Sequence, residues 1–415
     1  MLSNRGGAPK PKSVIPPLSR DAAHDLYTAP PLSHREAAAS QRDALIAGSP
    51  SHRVKNTEVD IFSGLLTDRN SSLTDKLKAA TELGNLALDD AKDDIADISG
   101  NISALVTLAS NKHSDQARER AAGALRNLAV ESWKNKELIA VAGGIPPLVA
   151  MLTSSKSEAS MDFAVGALAS LALDSDNKKL IADAEGIPPL VAMVDNGQTS
   201  AIQTLAAIAL GNLTSNEVGS RGRNNKMLIA EAGGIKPLIE LARTGLTEQR
   251  EAAVGALWNL AFNDANKTAI ADAGGIPMLV DLVAHGTPRQ KEQAAGALAN
   301  LTVDEDNRSR VVGAGGIAAL VPLMSGGETE RQRSFAHACL SNLAIDQFIK
   351  AKIVAVATSG SETARAREFV SKCWSKGELE VDEAAIQAGI EKLAVSEGGE
   401  QQHAPKEEVK PVDVQ

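Results

Sequence analysis

The sequence is poor in aromatic residues and in long apolar runs. Phe, Tyr and Trp make up 2% of the 415 residues, while apolar residues make up 43%. A core with so few rings is filled by Ala, Leu, Ile and Val, which favours closely packed helices over a β-sandwich. The sequence has no apolar run of the ~18 residues that a spanning helix needs, so we expect no direct membrane insertion. The N-terminal stretch MLSNRGGAPKPKSV also lacks the apolar core of a secretory signal.

Cysteine is scarce as well, with only Cys339 and Cys373 present. Two cysteines are too few for a disulfide scaffold or a four-cysteine zinc site, which favours a reducing compartment. We therefore expect a cytoplasmic protein, with the nucleus as an additional location. No HExxH, C-x-x-C, P-loop or G-x-S-x-G element occurs, so the sequence predicts no metal, no cofactor and no catalytic residues. His337 and Cys339 lie close together, but a Cys–His pair needs a cleft and an orienting third group, and we expect packing roles instead.

The chain has fewer basic than acidic residues, with 43 Lys and Arg and 52 Asp and Glu, which gives a formal net charge of −9. That balance argues against binding to nucleic acid or to an anionic membrane, both of which are negative. The composition divides the chain into three parts. Residues 1–55 are rich in Pro, Ser and Ala and predict a disordered arm, and residues 376–415 predict an acidic, largely disordered tail. The predicted folded part is residues 56–375.

The folded part is built from a repeat of about 42 residues. Segments related to AGALRNLA recur at steps of 41 to 47 residues, each with an amide or hydroxyl residue at the same place. The Ile of GGIPPLV recurs independently at steps of 41 to 48 residues. Because the step lengths of the two markers vary together along the chain, they predict a helical solenoid. The positions of the recurring polar residue are Asn85, Asn127, Ser170, Asn212, Asn259, Asn300 and Asn342.

Each repeat predicts three helices. A short first helix ends at Gly-Gly, a second begins at Ile-Pro-Pro where proline suits the first turn, and a longer third helix carries the recurring Asn. In the third helix, Leu lies two residues before and one residue after the Asn, on one face that points to the core. The fold class is all-α, with six full three-helix repeats and partial caps at both ends. The caps are predicted from Val59–Asp68 onwards and at Glu362–Ser375.

The stretch AAGALRNLAVESWKNKELIAVAGGIPPLVAML, Ala121–Leu152, resembles the armadillo-repeat family. The resemblance covers residues from about 60 to 375 and implies a right-handed superhelix whose third helices line a concave groove. It also implies that the recurring Asn binds the backbone of an extended partner segment. A carboxamide suits that role because it offers both a donor and an acceptor. The resemblance thus predicts a peptide-binding groove at all seven positions, with Ser170 the weak one. The alternative is that each Asn caps or bridges neighbouring helices.

The residue four positions before the Asn distinguishes between groups within the armadillo-repeat family. Importin-α-like members usually carry Trp there, whereas this chain has Gly in four repeats, at Gly123, Gly166, Gly255 and Gly296. That pattern is similar to the β-catenin, vacuolar-armadillo and plant armadillo groups, which are mostly scaffolds. We therefore expect a monomeric, non-catalytic scaffold or adaptor that binds other proteins. The alternatives are an importin-α-like transport adaptor, or the substrate-binding subunit of a ubiquitin-ligase or chaperone-cofactor complex.

Residues beside the recurring Asn are predicted to form the groove edge. Arg126 and Trp258 directly precede their Asn. Two roles are open for Trp258, either as an aromatic anchor for a partner or as a side chain that packs on the next repeat. An acidic row follows four residues after the amide position and would favour basic or mixed-charge partners, unless it only ends the helix in solvent. Its members are Asp89, Glu131, Asp174, Asp304 and Asp346. The spacing between repeats is longer at residues 214–226, and this insertion contains Arg221 and Arg223. Whether the insertion is functional stays open.

Overall fold

The computed structural model describes residues 50–88, 91–155, 157–215 and 224–359, and this part of the chain consists of 21 α-helices without strands. Helix α1 begins at Pro50, inside the segment predicted as a disordered arm. The rest of that arm, the predicted closing helix at 362–375, the acidic tail, Asp89, Arg221 and Arg223 lie outside the described residues. The helices are α1 (Pro50–Thr67), α2 (Leu73–Leu86), α3 (Lys92–Asp97), α4 (Asn101–Ala109), α5 (Asp115–Ala129), α6 (Trp133–Val141), α7 (Ile145–Ser154), α8 (Glu158–Leu171), α9 (Ser175–Asp183), α10 (Ile187–Asn196), α11 (Ser200–Thr214), α12 (Asn225–Glu231), α13 (Ile235–Thr244), α14 (Thr247–Leu260), α15 (Asp264–Asp272), α16 (Gly275–His285), α17 (Pro288–Leu301), α18 (Glu305–Gly313), α19 (Gly316–Gly326), α20 (Glu330–Leu343) and α21 (Gln347–Ser359).

The helices repeat in threes, which confirms the predicted α-solenoid. Helices α3 to α20 form six full repeats, each with a short first helix, a second helix and a third helix. The long α1 and the following α2 form a partial unit at the N-terminal end of the described residues. Third helices contact the third helices of the repeats before and after them: α2 with α5, α5 with α8, α8 with α11, α11 with α14, α14 with α17, and α17 with α20.

The bend between first and second helices depends on the paired glycines. The axes of α6 and α7 meet at 80°, and those of α18 and α19 at 88°. Gly143 takes a left-handed φ of 77°, a conformation that favours glycine. A Cβ on Gly144 would lie 2.7 Å from Ile139 Cγ2 and 2.9 Å from the Ile139 carbonyl oxygen. The first glycine therefore supplies the turn, and the second allows the two helices to approach.

The hydrophobic core is continuous along the array and is filled mainly by aliphatic side chains. Leu125 and Leu128, which flank Asn127, are both fully buried, as are their counterparts Leu298 and Leu301. Burial of each leucine is worth roughly 1.5–3 kcal/mol. Because most third helices also carry buried Ala beside these leucines, their backbones come close enough for polar side chains to reach from one repeat to the next.

Among the described residues no single helix is both long and apolar enough to cross a membrane. Two bent pairs, α6 with α7 and α18 with α19, meet the length and composition criteria when each pair is taken together.

Glu185 offers a test of the bend. It has a left-handed φ of 58° at the place where Gly143, Gly233, Gly274 and Gly315 stand in other repeats. A non-glycine residue in this conformation costs about 1 kcal/mol. We expect Glu185→Gly to raise the unfolding midpoint in urea, whereas Glu137→Gly, an exposed site inside α6, should lower it. A lower midpoint for both variants would contradict this account of the bend.

Candidate functional site

The recurring Asn side chains form a ladder of hydrogen bonds between repeats. In five of them Nδ2 donates to the backbone carbonyl of the residue just before the equivalent position in the preceding repeat. Because a carbonyl can only accept, these bonds fix which end of each amide faces the neighbouring helix. The pairs are Asn127 to Gly84 (2.8 Å), Asn212 to Ala169 (2.9 Å), Asn259 to Gly211 (3.0 Å), Asn300 to Trp258 (3.4 Å) and Asn342 to Ala299 (3.0 Å).

These carbonyls need a partner because they lie in the last turn of a third helix. The Gly84 carbonyl would ordinarily accept from the N–H of Leu88, but that N–H donates to Asn85 instead. In the same way the N–H of Leu173 donates to Ser170 and bypasses Ala169. The amide of the next repeat donates to each of these carbonyls, and at Gly211 and Ala299 it adds to a bond from the hydroxyl of Thr214 or Thr302. Bridging of neighbouring helices is thus an observed role of the ladder.

Ser170 is the exception, and the preceding helix accounts for it. Its repeat faces the carbonyl of Arg126, which already accepts from the N–H of Val130 at 3.2 Å. Helix α5 makes this bond because the chain has an extra residue after it, Glu131, with a left-handed φ of 59°. The Arg126 carbonyl therefore needs no amide donor from the next repeat, and Ser170 takes the place of the asparagine there.

Most of the ladder remains accessible on the side away from these bonds. Asn85 is exposed, while Asn127, Asn259, Asn300 and Asn342 are half-buried. None of the Oδ1 atoms of these four half-buried amides accepts a hydrogen bond from the described residues, so an acceptor is left for a ligand. Asn212 differs, because it is only 3% exposed and its Oδ1 is buried without a partner in the described part of the chain.

One stretch of the concave surface brings two rungs together. A depression of about 80 Å³ between α2 and α5 is lined by both Asn85 and Asn127. Thr81, Arg120 and Phe163 also line it. The first two rungs thus share an open hollow, as a groove would require. The role of the seven positions in binding a partner stays a prediction.

A second asparagine ladder, which the sequence analysis missed, lies in the first helices. Asn266 Nδ2 donates to the carbonyls of Lys226 (3.0 Å) and Leu260 (3.3 Å). Asn135 reaches Leu128 and Lys92 in the same manner, and Asn307 reaches Leu301. The signal was present as Asn followed by Lys or Arg at the start of five of the six described first helices, all but α3. These side chains are buried, so this ladder serves the fold.

Arg126 and Trp258 both pack over a glycine of the following repeat. A Cβ on Gly166 would lie 2.7 Å from Arg126 Nε, and one on Gly296 would lie 2.8 Å from Trp258 Cε2. Arg126 is half-buried and pairs with Asp162 at 3.0 Å, consistent with a place at the groove edge. Trp258 is only 3% exposed and meets the Phe335 ring edge-on at 5.0 Å between centroids. The structure thus shows Trp258 packing on the next repeat, and an exposed anchor is wrong.

The acidic row does not extend the groove face of the third helices. The prediction required each helix to continue for another turn, but α8 ends at Leu171, α17 at Leu301 and α20 at Leu343. The acids instead cap the first helix of the next repeat, where a side-chain oxygen satisfies free N–H groups. Asp174 accepts from Asn177, Asp304 from Asn307, and Asp346 from Ile349. Glu131 is exposed and makes the extra turn described above.

Two of these acids also face a buried cation. Lys136 is 2% exposed, with its Nζ 4.4 Å from the centroid of the Trp133 ring. Burial lowers the pKa of the Lys136 ammonium, and the charges of Asp174 and Glu131 oppose that shift. The negative charges of Asp174 and Glu131 are therefore partly balanced within the protein by Lys136.

The start of the third helices gives the concave side mixed charge. Glu251 accepts from Thr287 Oγ1 at 2.9 Å and lies 3.8 Å from Arg289 Nε. One repeat further, Glu292 accepts from Thr329 Oγ1 at 3.0 Å and pairs with Arg331 at 3.2 Å. Arg289 is more than half exposed whereas Glu251 is 22% exposed, so the cation is more accessible to a ligand than the acid.

His337 and Cys339 do not form a nucleophilic pair. Cys339 is fully buried, accepts from Thr302 Oγ1 at 3.7 Å, and burial raises the pKa of its thiol to about 12. Burial lowers the pKa of His337, whose Nδ1 lies 3.4 Å from Ser341 Oγ. In the described ranges no group of three or more His, Cys, Asp or Glu side chains is placed to hold a metal ion.

Comparison with known proteins agrees with this geometry. The family model for the Armadillo/beta-catenin-like repeat matches residues 174–215, 222–262 and 263–303. Three consecutive repeats of this chain are therefore similar to armadillo repeats. A search of curated protein sequences found no match.

Solved structures with similar folds include engineered and designed proteins. One engineered protein from the Northeast Structural Genomics Consortium is 28% identical with a TM-score of 0.68, covering 83% of this chain and 85% of its own. The designed armadillo repeat protein YIII(Dq)4CqI is 25% identical with a TM-score of 0.54, over 58% of this chain and 99% of its own. The designed protein YIII(Dq.V1)4CPAF, solved in complex with the peptide (KR)4, is 24% identical with a TM-score of 0.52, over 59% and 100%.

The packing of Trp258 over Gly296 predicts opposite effects at two equivalent glycines. Gly296→Ala places a Cβ 2.8 Å from the indole, so we expect a loss of about 1–3 kcal/mol in unfolding free energy. Gly123→Ala meets the Phe163 ring at an ordinary 3.5 Å and should stabilise the helix by up to about 1 kcal/mol. Urea unfolding followed by circular dichroism would measure both. Equal effects would show that the indole does not require glycine there.

Proposed function

We propose that this protein is a non-catalytic scaffold whose concave surface binds extended segments of partner proteins. The observation that supports this most is the state of the ladder amides. Each bonded Asn has its Nδ2 held by the preceding repeat, and in Asn127, Asn259, Asn300 and Asn342 the Oδ1 is left without a donor from the described residues. A partner backbone N–H can donate to that oxygen.

Fixing the amides in advance favours binding. A free asparagine side chain loses rotamer freedom when it binds, which typically costs about 0.5–1.5 kcal/mol for an immobilised side chain. Here the bond to the neighbouring repeat has already ordered the side chain, for example at 2.8 Å for Asn127 and 3.0 Å for Asn259. Each rung therefore offers an ordered acceptor at little further entropic cost.

The partner that fits is an extended chain of mixed charge. Repeats are about 8–10 Å apart and an extended chain advances about 3.3 Å per residue, so one rung meets every second or third peptide unit. Backbone contacts of this kind tolerate many sequences. The pairs of Glu251 with Arg289 and of Glu292 with Arg331 favour a ligand that carries both signs of charge.

An importin-α-like role is disfavoured by the glycines four residues before the Asn. The space above Gly166 and Gly296 is occupied by Arg126 and Trp258 of this chain, and Gly123 lies beneath Phe163. These contacts leave no Trp ladder to clasp lysine side chains.

The groove proposal can be tested with peptides selected from a random library. Peptides of about 12 residues span roughly 40 Å, or four repeats. We expect the double change Asn259→Ala with Asn300→Ala to weaken the selected peptides about 10- to 30-fold by calorimetry, since two hydrogen bonds of ~1 kcal/mol each are lost.

A matched control is available in the second ladder. The double change Asn266→Ala with Asn307→Ala also removes bonds between helices, so it should lower the melting temperature while leaving the peptide affinity of the folded protein unchanged. If both double variants weaken binding equally, or if neither does, the ladder amides do not read the peptide.

A further inference from the structure

A cavity of about 340 Å³ lies between the second helices α16 and α19, where the third helices α17 and α20 begin. Apolar side chains such as Val283 and Leu323 form part of its wall, and the charged residues that line it are Lys291 and Glu328. Lys291 precedes Asn300 by nine residues in α17, which is about 13 Å along a helix axis. The cavity therefore lies at the opposite end of the third helices from the ladder amides.

Small residues of α19 leave room for this cavity. Ala319 and Gly326 both line it, and they occupy the places that Met278 and His285 hold in the preceding repeat. The side chains that cover this part of α16 are thus absent from α19. A volume of this order is typical of sites for small molecules, which combine apolar walls with a few polar groups.

Lys291 differs from its counterparts in the bonding of its side chain. At the same register of two earlier third helices, Gln203 donates to the Val194 carbonyl at 3.3 Å and Arg250 donates to the Ala242 carbonyl at 3.1 Å. The Lys291 ammonium makes no hydrogen bond or ion pair with the described residues. This half-buried cation is therefore available to an anion in the cavity.

Acceptors for a cation line the same cavity. The exposed Glu328 carboxylate forms no ion pair within the described part of the chain. The carbonyl of Ala318 loses its helical donor because Pro322 has no N–H, and both residues line the cavity. The carbonyl of Val283 also lacks its helical donor, since the N–H of Thr287 donates to a side-chain oxygen instead. These three acceptors match the three N–H groups of an ammonium.

We propose that this cavity binds a free α-amino acid with a large apolar side chain. The ligand carboxylate pairs with Lys291, its ammonium donates to Glu328 and to the two carbonyls, and its side chain lies against Val283 and Leu323. Charge decides the class of ligand, because a simple cation would also face Lys291 and a simple anion would also face Glu328. The proposal concerns a different surface from the groove and does not rest on the groove function.

The test titrates the full-length protein with L-phenylalanine and with two blocked derivatives of it, followed by calorimetry. N-acetyl-L-phenylalanine lacks the ammonium, and L-phenylalaninamide lacks the carboxylate. We expect saturable binding of L-phenylalanine, with each derivative about tenfold weaker or more, since each loses charged hydrogen bonds. Equal binding of all three ligands would show that the apolar wall alone holds them and would overturn the proposal, as would a lack of saturable binding of L-phenylalanine.

Two variants assign the charges to the two ends of the ligand. Gln203 and Gln198 hold the registers of Lys291 and Glu328 in an earlier repeat, so glutamine suits both places. Lys291→Gln should weaken L-phenylalanine about tenfold or more without weakening the amide. Glu328→Gln should weaken L-phenylalanine without weakening the N-acetyl derivative. If either variant binds L-phenylalanine as the unaltered protein does, or weakens all three ligands alike, the proposal is wrong.

A third variant fills the space, and two others serve as matched controls. Ala319→Met places in α19 the side chain that α16 carries as Met278 and should abolish binding of L-phenylalanine, with the melting temperature showing that the variant is folded. Lys236→Gln and Glu137→Gln remove exposed charges from α13 and α6, outside the cavity, and should leave binding unchanged. Loss of binding in either control, or full binding by a folded Ala319→Met variant, would place the ligand elsewhere and overturn the proposal.

Discussion

The structure depends on finding hydrogen-bond donors for the last carbonyl groups of the third helices. A buried carbonyl without a donor costs about 1–3 kcal/mol, and most of the described third helices other than α5 end with a carbonyl that their own backbone N–H groups bypass. A hydrophobic contact alone cannot meet this need, because leucine offers no donor. The amides of Asn127, Asn259 and Asn342 meet it from the following repeat, and Asn266 meets it from the next first helix. The polar ladders therefore set the register in which the apolar faces stack.

This constraint also links the fold to the surfaces that can bind ligands. An amide that donates into the neighbouring helix must turn its oxygen away from it, towards the concave side. A third helix that ends at this point must be followed by a turn, and the turn exposes the register of Phe262, Val303 and Ile345. The proposed groove therefore depends on the same helix ends that join neighbouring repeats.

Much of the fold was predictable from the spacing of residues, because the period, the paired glycines and the flanking leucines each report a local requirement. The three-helix repeats and the burial of Leu125 and Leu128 followed from these signals. The partner of each Asn did not, since a carbonyl some 43 positions earlier is brought close only by stacking. The same holds for Trp258: its burial depends on Gly296 and Phe335, which belong to later repeats. The acidic row was misplaced because the length of the last turn depends on where the next helix is capped.

Most rungs have a property that bears on how the chain is assembled from units. Each such repeat turns an Asn donor towards the preceding repeat and a carbonyl acceptor towards the following one. One unit can therefore stack on almost any other, and copying or removing a unit leaves every bond complete. The junction of Arg126 with Ser170 breaks this interchangeability. There the acceptor was satisfied internally through Glu131 and the donor was given up, so these two units are matched to each other alone. That junction marks the place in the array where order matters.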